Sequence, residues 1–199
     1  MTSAFDPKNQ ELNIESKIVV ALERISEAFK VSLWNENKKY GLSPIQLQIL
    51  TFLLFHSQEL RTISHLAKEF NSTKASISDS VKTLETKKML TREKSSEDFR
   101  IFIINLTEQG KVIAENASSF AEHIEQIVSE INTEKKEILL DSLLNIIHKL
   151  YMEGIISIQR MCLTCNYYIK PVKDQAGSCS LLDFSIKNSE IRVDCNEYS

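Results

Sequence analysis

Between residues 11 and 40, the apolar positions Ile14, Ile18, Ala21, Leu22, Ile25, Phe29 and Leu33 recur every three or four residues. That period predicts one long amphipathic helix, with more apolar surface than a small domain usually covers. Gly41 is a natural stop, and Ser43, Pro44 and Gln46 then restart the chain with a cap, a proline at the first helical position and the partner of a capping box. The next helix, to about His56, carries Ile45, Leu47, Ile49, Leu50, Phe52, Leu53, Leu54 and Phe55. It is apolar nearly all round, which predicts the buried centre of a domain.

Two shorter helices follow. In residues 62–70, Thr62 is competent to cap, Ile63, Leu66, Ala67 and Phe70 keep helical spacing, and Asn71 tolerates the left-handed backbone that ends a helix. In residues 72–88, Ile77, Val81 and Leu84 make a narrow stripe, and the rest is small and polar. Short side chains let a helix enter a DNA groove, hydroxyls bond phosphates and base edges, and lysines neutralise phosphate. Ser72, Thr73, Lys74, Ser76, Ser78 and Lys82 are therefore the candidate readers.

The period then changes. Leu90–Lys94 and residues 99–106 are rich in β-branched and aromatic residues and flank the polar run 95–98, which predicts a β-hairpin. A hairpin directly after such a helix is a wing, and Lys94 and Arg100 are its candidate contacts. Here the chain resembles the winged helix-turn-helix of the multiple-antibiotic-resistance-regulator (MarR) family. The resemblance is carried by Leu84-Glu85, Leu90, Arg92, Ser95, Asp98, Arg100 and Leu106-Thr107-Glu108-Gln109-Gly110. It implies that Arg100 braces or inserts the wing near the minor groove, with Asp98 supporting it through an ion pair. Two positions depart from the family: Phe99 stands where a second basic residue is common, and Lys88 where glycine usually ends the recognition helix.

Thr107 can cap a helix to about Ile131, with Ile113, Ala117, Phe120, Ile124, Ile127, Val128 and Ile131 on one face. Thr133 can cap another, striped by Ile138, Leu139, Leu143, Leu144, Ile146, Ile147 and Leu150. One long helix before the wing and two after it are what a helical dimer interface requires. The expected fold is therefore mainly α with a small β-hairpin wing (α+β). Residues 1–40 and 107–153 form the dimerisation region, 41–106 the winged helix-turn-helix, and 154–199 a separate tail. The resemblance implies a homodimer on a pseudo-palindromic duplex, and a small-molecule effector between the dimer and DNA-binding regions.

Composition adds little until it is divided. With 42% hydrophobic and 26% charged residues, the chain is ordinary for a soluble globular protein, and its net charge of −3 gives no hint of nucleic acid. Residues 61–100, however, hold nine Lys or Arg against six Asp or Glu, a basic module on an acidic body. No apolar run is long enough to span a membrane, and residues 1–8 lack the pattern of a signal peptide, so a cytoplasmic location is expected. His56 and His65 have no neighbours at metal-ligand spacing and are read as structural. No phosphate loop, nucleophile with a base, or acid pair suggests an enzyme.

The tail is distinct in its chemistry. Cys162, Cys165, Cys179 and Cys195 are the four cysteines of the chain. Four thiolates from three short segments suit tetrahedral zinc, and a tail with few apolar groups needs such a staple. An iron–sulfur cluster uses the same ligands, and disulfides or a Cys162–Cys165 redox switch are further alternatives. Tyr167, Tyr168, Ile169, Leu181, Leu182, Phe184 and Ile191 are expected to pack the site on the preceding helix. The function expected is a dimeric DNA-binding transcriptional regulator with a four-cysteine site that stabilises or senses. The alternatives are an iron–sulfur redox or electron-transfer protein using the winged domain as a scaffold, and a winged module that binds protein.

Overall fold

The computed structural model describes residues 3–96, 98–171 and 176–199, the side chain of Asn37 excepted. Met1 and Thr2 of the amino-terminal segment, Glu97 of the expected turn and residues 172–175 of the tail lie outside the described residues.

The long first helix is broken near its start. Asp6 caps α1 (Pro7–Leu12) with Pro7 in the first turn. Asn13 then adopts extended backbone and takes the Ser16 N–H on its Oδ1 at 2.7 Å, which separates α1 from α2 (Ile14–Tyr40). Gly41 ends α2 at φ +60°. The Ser43–Gln46 capping box opens α3 (Pro44–Phe55), whose Leu47, Ile49 and Leu50 are completely buried. Thr62 caps α4 (Ile63–Glu69) and Thr73 caps α5 (Lys74–Thr86), with left-handed Asn71 between them. These helices, the strands β1 (Leu90–Lys94) and β2 (Phe102–Leu106), and α6 (Glu108–Ser118) enclose one core.

The hairpin is antiparallel, pairing Leu90 with Leu106 and Lys94 with Phe102. Its second strand starts three residues later than the pattern predicts, because residues 99–101 belong to the turn, where the Ile101 N–H returns to the Asp98 carbonyl at 2.9 Å. Lys88 sits at φ +59°, the conformation for which the family resemblance implies glycine. Relieving that strain should outweigh the entropy a glycine adds to the unfolded chain. Lys88→Gly is therefore expected to raise stability by up to about 1 kcal/mol in urea unfolding, and a clear loss would count against strain at this turn.

The expected helix over 107–131 is two helices. Ser118 and Ser119 donate their hydroxyls to the carbonyls of Glu115 and Asn116, and a 3-10 turn at Ser119–Ala121 separates α6 from α7 (Glu122–Ser129). Asn132, not Thr133, caps α8 (Thr133–Met152), accepting the Glu134 N–H at 2.9 Å. Of the described side chains in α2, Ser16 and Leu33 are buried, while Ile14, Ile18, Val19, Ile25 and Val31 are exposed. On α7 and α8, Ile127, Val128, Ile138, Leu139 and Ile146 are exposed as well.

The tail forms a three-stranded antiparallel sheet of β3 (Tyr168–Ile169), β4 (Gly177–Cys179) and β5 (Phe184–Ile186). Residues 191–194 lie outside that sheet. A second small core joins the tail to α8 through Leu144, Met161, Cys162, Ile186 and Ile191, with Tyr168 at its edge. Ile169, Leu181, Leu182 and Phe184, expected in this packing, stay exposed. Among the described residues, no helix is long and apolar enough to cross a membrane.

Candidate nucleic-acid interface and thiol site

Helix α5 is anchored along one side only. Ile77, Val81 and Leu84 are completely buried, each contributing roughly 1.5–3 kcal/mol through burial. At 3.6 residues per turn, the opposite face is Ala75, Asp79, Lys82, Thr83 and Thr86, all exposed. Lys74 and Ser76 are also exposed, whereas Ser72 and Ser78 are half-buried on the flanks. Thr73 and Ser76 are partly occupied by local bonding: Thr73 Oγ1 caps the Ser76 N–H at 3.1 Å and lies 2.9 Å from the Ser76 hydroxyl. Of the expected readers, Lys82 is thus the one on that outward face. Ala75, Asp79 and Thr83 were not singled out from the residue types, although a wheel drawn on the buried stripe would have found them. They suit base edges: an Asp accepts from the cytosine amine and a small apolar side chain meets the thymine methyl.

The wing is fixed to this helix by Arg92, whose guanidinium meets the Glu85 carboxylate, so two residues of the family pattern join each other. Lys94 closes β1 and is exposed. Arg100 projects with 90% of its side chain exposed and is gripped at its base by Asp98, with Nε on Oδ1 and Nη2 on Oδ2, both at 3.0 Å. The hydrogen bonds from Arg100 hold the Asp98 carboxyl below its ordinary range and the Arg100 guanidinium above its own. The braced tip therefore presents a cation at every ordinary pH.

In the tail, the four cysteines line one cavity of about 20 Å³, together with Tyr168, Ile186 and Arg192. All four are free thiols. Cys162 and Cys165 flank the turn Cys162–Thr164, Cys179 ends β4 opposite Tyr168, and Cys195 enters on the final segment. The Arg192 N–H points at Cys162 Sγ from 3.3 Å, and its Nη1 lies 3.6 Å from Cys195 Sγ. Burial pushes the Cys162 thiol up, against that N–H, which favours thiolate. As placed, no three Cys, His, Asp or Glu side chains among the described residues stand close enough to hold a metal ion. A metal would have to draw the thiols inward from the cavity wall.

A third cluster lies between these two regions. Arg160, 7% exposed, donates from Nε and Nη2 to Asp194 at 2.7 and 3.0 Å, and from Nη1 and Nη2 to Glu69 at 2.6 and 3.2 Å. His56 Nε2 stands 2.9 Å from Asp194, and His65 Nε2 stands 3.7 Å from Glu69. The hydrogen bond to His56, with Arg160 behind it, holds the Asp194 carboxyl far below its ordinary value. Burial pushes Glu69 up, but hydrogen bonds from His65 and Arg160 outweigh it and the carboxyl ends below its usual range. Both histidines are therefore structural partners of an ion cluster. Sequence reasoning had no signal for Arg160, Glu69 and Asp194, which lie far apart in the chain.

Comparison with known proteins places these features. Residues 40–101 match the pattern described as the MarR family. The chain is 29% identical over 130 residues to the uncharacterized HTH-type transcriptional regulator YdgJ of Bacillus subtilis, covering 65% of this chain and 76% of that protein. It is 29% identical over 91 residues to the transcriptional regulator AdcR of Streptococcus pneumoniae, covering 44% of this chain and 62% of AdcR. Among solved structures, the Staphylococcus aureus MepR–DNA complex is 26% identical with a TM-score of 0.59, over 66% of this chain and 97% of that one. The same regulator in its DNA-binding conformation is 25% identical with a TM-score of 0.60, over 67% and 98%. These relatives are regulators rather than enzymes, in line with the chemistry of the sequence.

Proposed function

The chain belongs to the MarR family of winged-helix transcriptional regulators, and on that footing we propose that it acts as a homodimer that reads a pseudo-palindromic duplex. The observation that carries this reading is α5, buried by three residues and free on its opposite face, beside a wing that ends in a braced, exposed arginine. Ala75, Asp79, Lys82 and Thr83 would face base edges, with Lys74, Lys94 and Arg100 on phosphate or in the adjacent minor groove. Solution of the MepR–DNA complex supports the same use of the fold. The unpartnered apolar faces of α2, α7 and α8 supply the surface a second copy would cover. An effector between the dimer and DNA-binding regions completes the family reading.

For the tail we adopt zinc held by Cys162, Cys165, Cys179 and Cys195. Four thiols from three short segments that line one cavity suit a single tetrahedral ion. The donor set is all sulfur, which also suits iron, so metal analysis with an absorption spectrum distinguishes colourless zinc from a coloured iron–sulfur cluster.

The test of the DNA reading is Arg100→Ala. Because Arg100 is almost wholly exposed, the folded protein should be unaffected. Affinity for a selected duplex should fall, and the slope of log affinity against log salt should drop by about one. An unchanged slope would remove Arg100 from the interface.

A further inference from the structure

The tail touches the DNA-reading end of the same chain at two independent places. The first is the Arg160 cluster. Glu69 is the last residue of α4, and Asp194 precedes the final cysteine, whose own N–H donates to the Arg160 carbonyl at 2.9 Å. One buried guanidinium thus joins the first helix of the helix-turn-helix to the segment that carries Cys195. The second is the turn itself. Asn71, left-handed between α4 and α5, donates from Nδ2 to the Ile155 carbonyl at 3.1 Å and accepts the Ser157 hydroxyl on its Oδ1. Residues 155–160 therefore form a strap that leaves α8, crosses the α4–α5 turn and arrives at Cys162.

Leu144, Met161, Ile186 and Ile191 join the tail to α8, whereas the strap ties it separately to α4 and to the turn before α5, a connection that stabilising the tail alone does not require. We propose that the four-thiol site is a regulatory input for a thiophilic divalent cation of the zinc class, and that its occupancy is read by α4 and α5 through Arg160 and the strap. This rests on the DNA-binding reading given above. Drawing the four sulfurs onto one ion fixes the Arg192–Cys195 segment, and with it Asp194. The planar fork of Arg160 then spans Asp194 and Glu69 at once, which a single-point ammonium does not do. If Asp194 moves away, Arg160 is left buried with half its partners, an arrangement buried charges tolerate badly. The cluster consequently shifts as a unit, and α4 and the turn before α5 shift with it. The metal-loaded state is the one with α4 and α5 fixed, and it is the state that binds DNA. The link runs within one protomer, so it differs from any change in the spacing of two protomers.

The experiment compares the full-length protein loaded with Zn²⁺ and stripped by a chelator, by amide hydrogen exchange over residues 63–86 and by affinity for a selected duplex. In the unaltered protein, stripping should speed exchange around 63–74 and weaken duplex binding, each by about tenfold, a typical size for coupling between sites. In Arg160→Lys, which keeps the charge but not the fork, both changes should shrink to less than about twofold while Zn²⁺ stays at one ion per chain. If Arg160→Lys does not fold, Asp194→Asn cuts the same link from the other side, with the same expected result. Exchange that is indifferent to stripping, an equal response in the variants, tighter DNA binding by the stripped protein, or no bound Zn²⁺ would each overturn the proposal. If neither form binds any duplex, the DNA reading fails, and the exchange measurement still decides whether the thiol site and α4 are linked.

Discussion

Gly110→Ala is expected to unfold the winged-helix region or to cost it more than about 3 kcal/mol, despite the gain in helix propensity that alanine brings. Gly110 lies in the first turn of α6, and a Cβ there would come 1.8 Å from the Met89 carbonyl oxygen and 2.9 Å from its carbon. That carbonyl cannot step aside. It accepts the Thr107 N–H at 3.1 Å, while the Thr107 hydroxyl donates to the Lys88 carbonyl at 2.8 Å and accepts the Gly110 N–H at 3.0 Å. The junction closes the end of the wing onto the start of α6, beside left-handed Lys88. Urea unfolding followed by circular dichroism reads the effect directly, and a midpoint like that of the unaltered protein would show that this junction is not tightly packed.

On the zinc reading, removing the metal is expected to have a comparable effect, largest in the tail. The described tail buries Met161, Cys162, Ile186 and Ile191 against Leu144, a core too small to order such a segment alone. Structural zinc in small peptides contributes apparent binding energies of about 10–16 kcal/mol, which is ample to decide whether such a segment is folded. Limited tryptic proteolysis of chelator-treated protein should therefore cut first at Lys187 and Arg192, well before the core around α3 opens. Equal resistance with and without metal would mean that packing on α8 suffices, and the zinc assignment would lose its energetic basis.

The reading head was legible in the sequence because its signals are local. The Ser43–Gln46 box, the Thr62 cap and the Ile77–Val81–Leu84 stripe each lie within one or two turns. The Asp98–Arg100 pair spans two residues, and the resemblance had already placed it. Helix breaks were less visible. The spans 11–40 and 107–131 each read as one helix across Asn13 and across Ser118–Ser119, and what interrupts each helix is a polar side chain bonding nearby backbone. The Arg160 cluster was invisible for a different reason. Its carboxylates come from α4 and from the end of the tail, and only the folded strap brings them to one guanidinium. The cysteines could be grouped by residue type, and the structure does bring all four to one cavity, but their packing partners could not be read in advance: Ile186 and Met161 do what Leu181 and Phe184 were expected to do.

The central claim is that this chain reads duplex DNA through α5 and the wing. The most direct measurement is selection of bound duplexes from a random-sequence pool by the full-length protein, followed by titration of the enriched sequence at two salt concentrations. The account predicts a pseudo-palindrome with half-sites about one helical turn apart and an affinity that falls steeply with salt. A pool that stays random, with no salt-dependent affinity for any duplex, would contradict it.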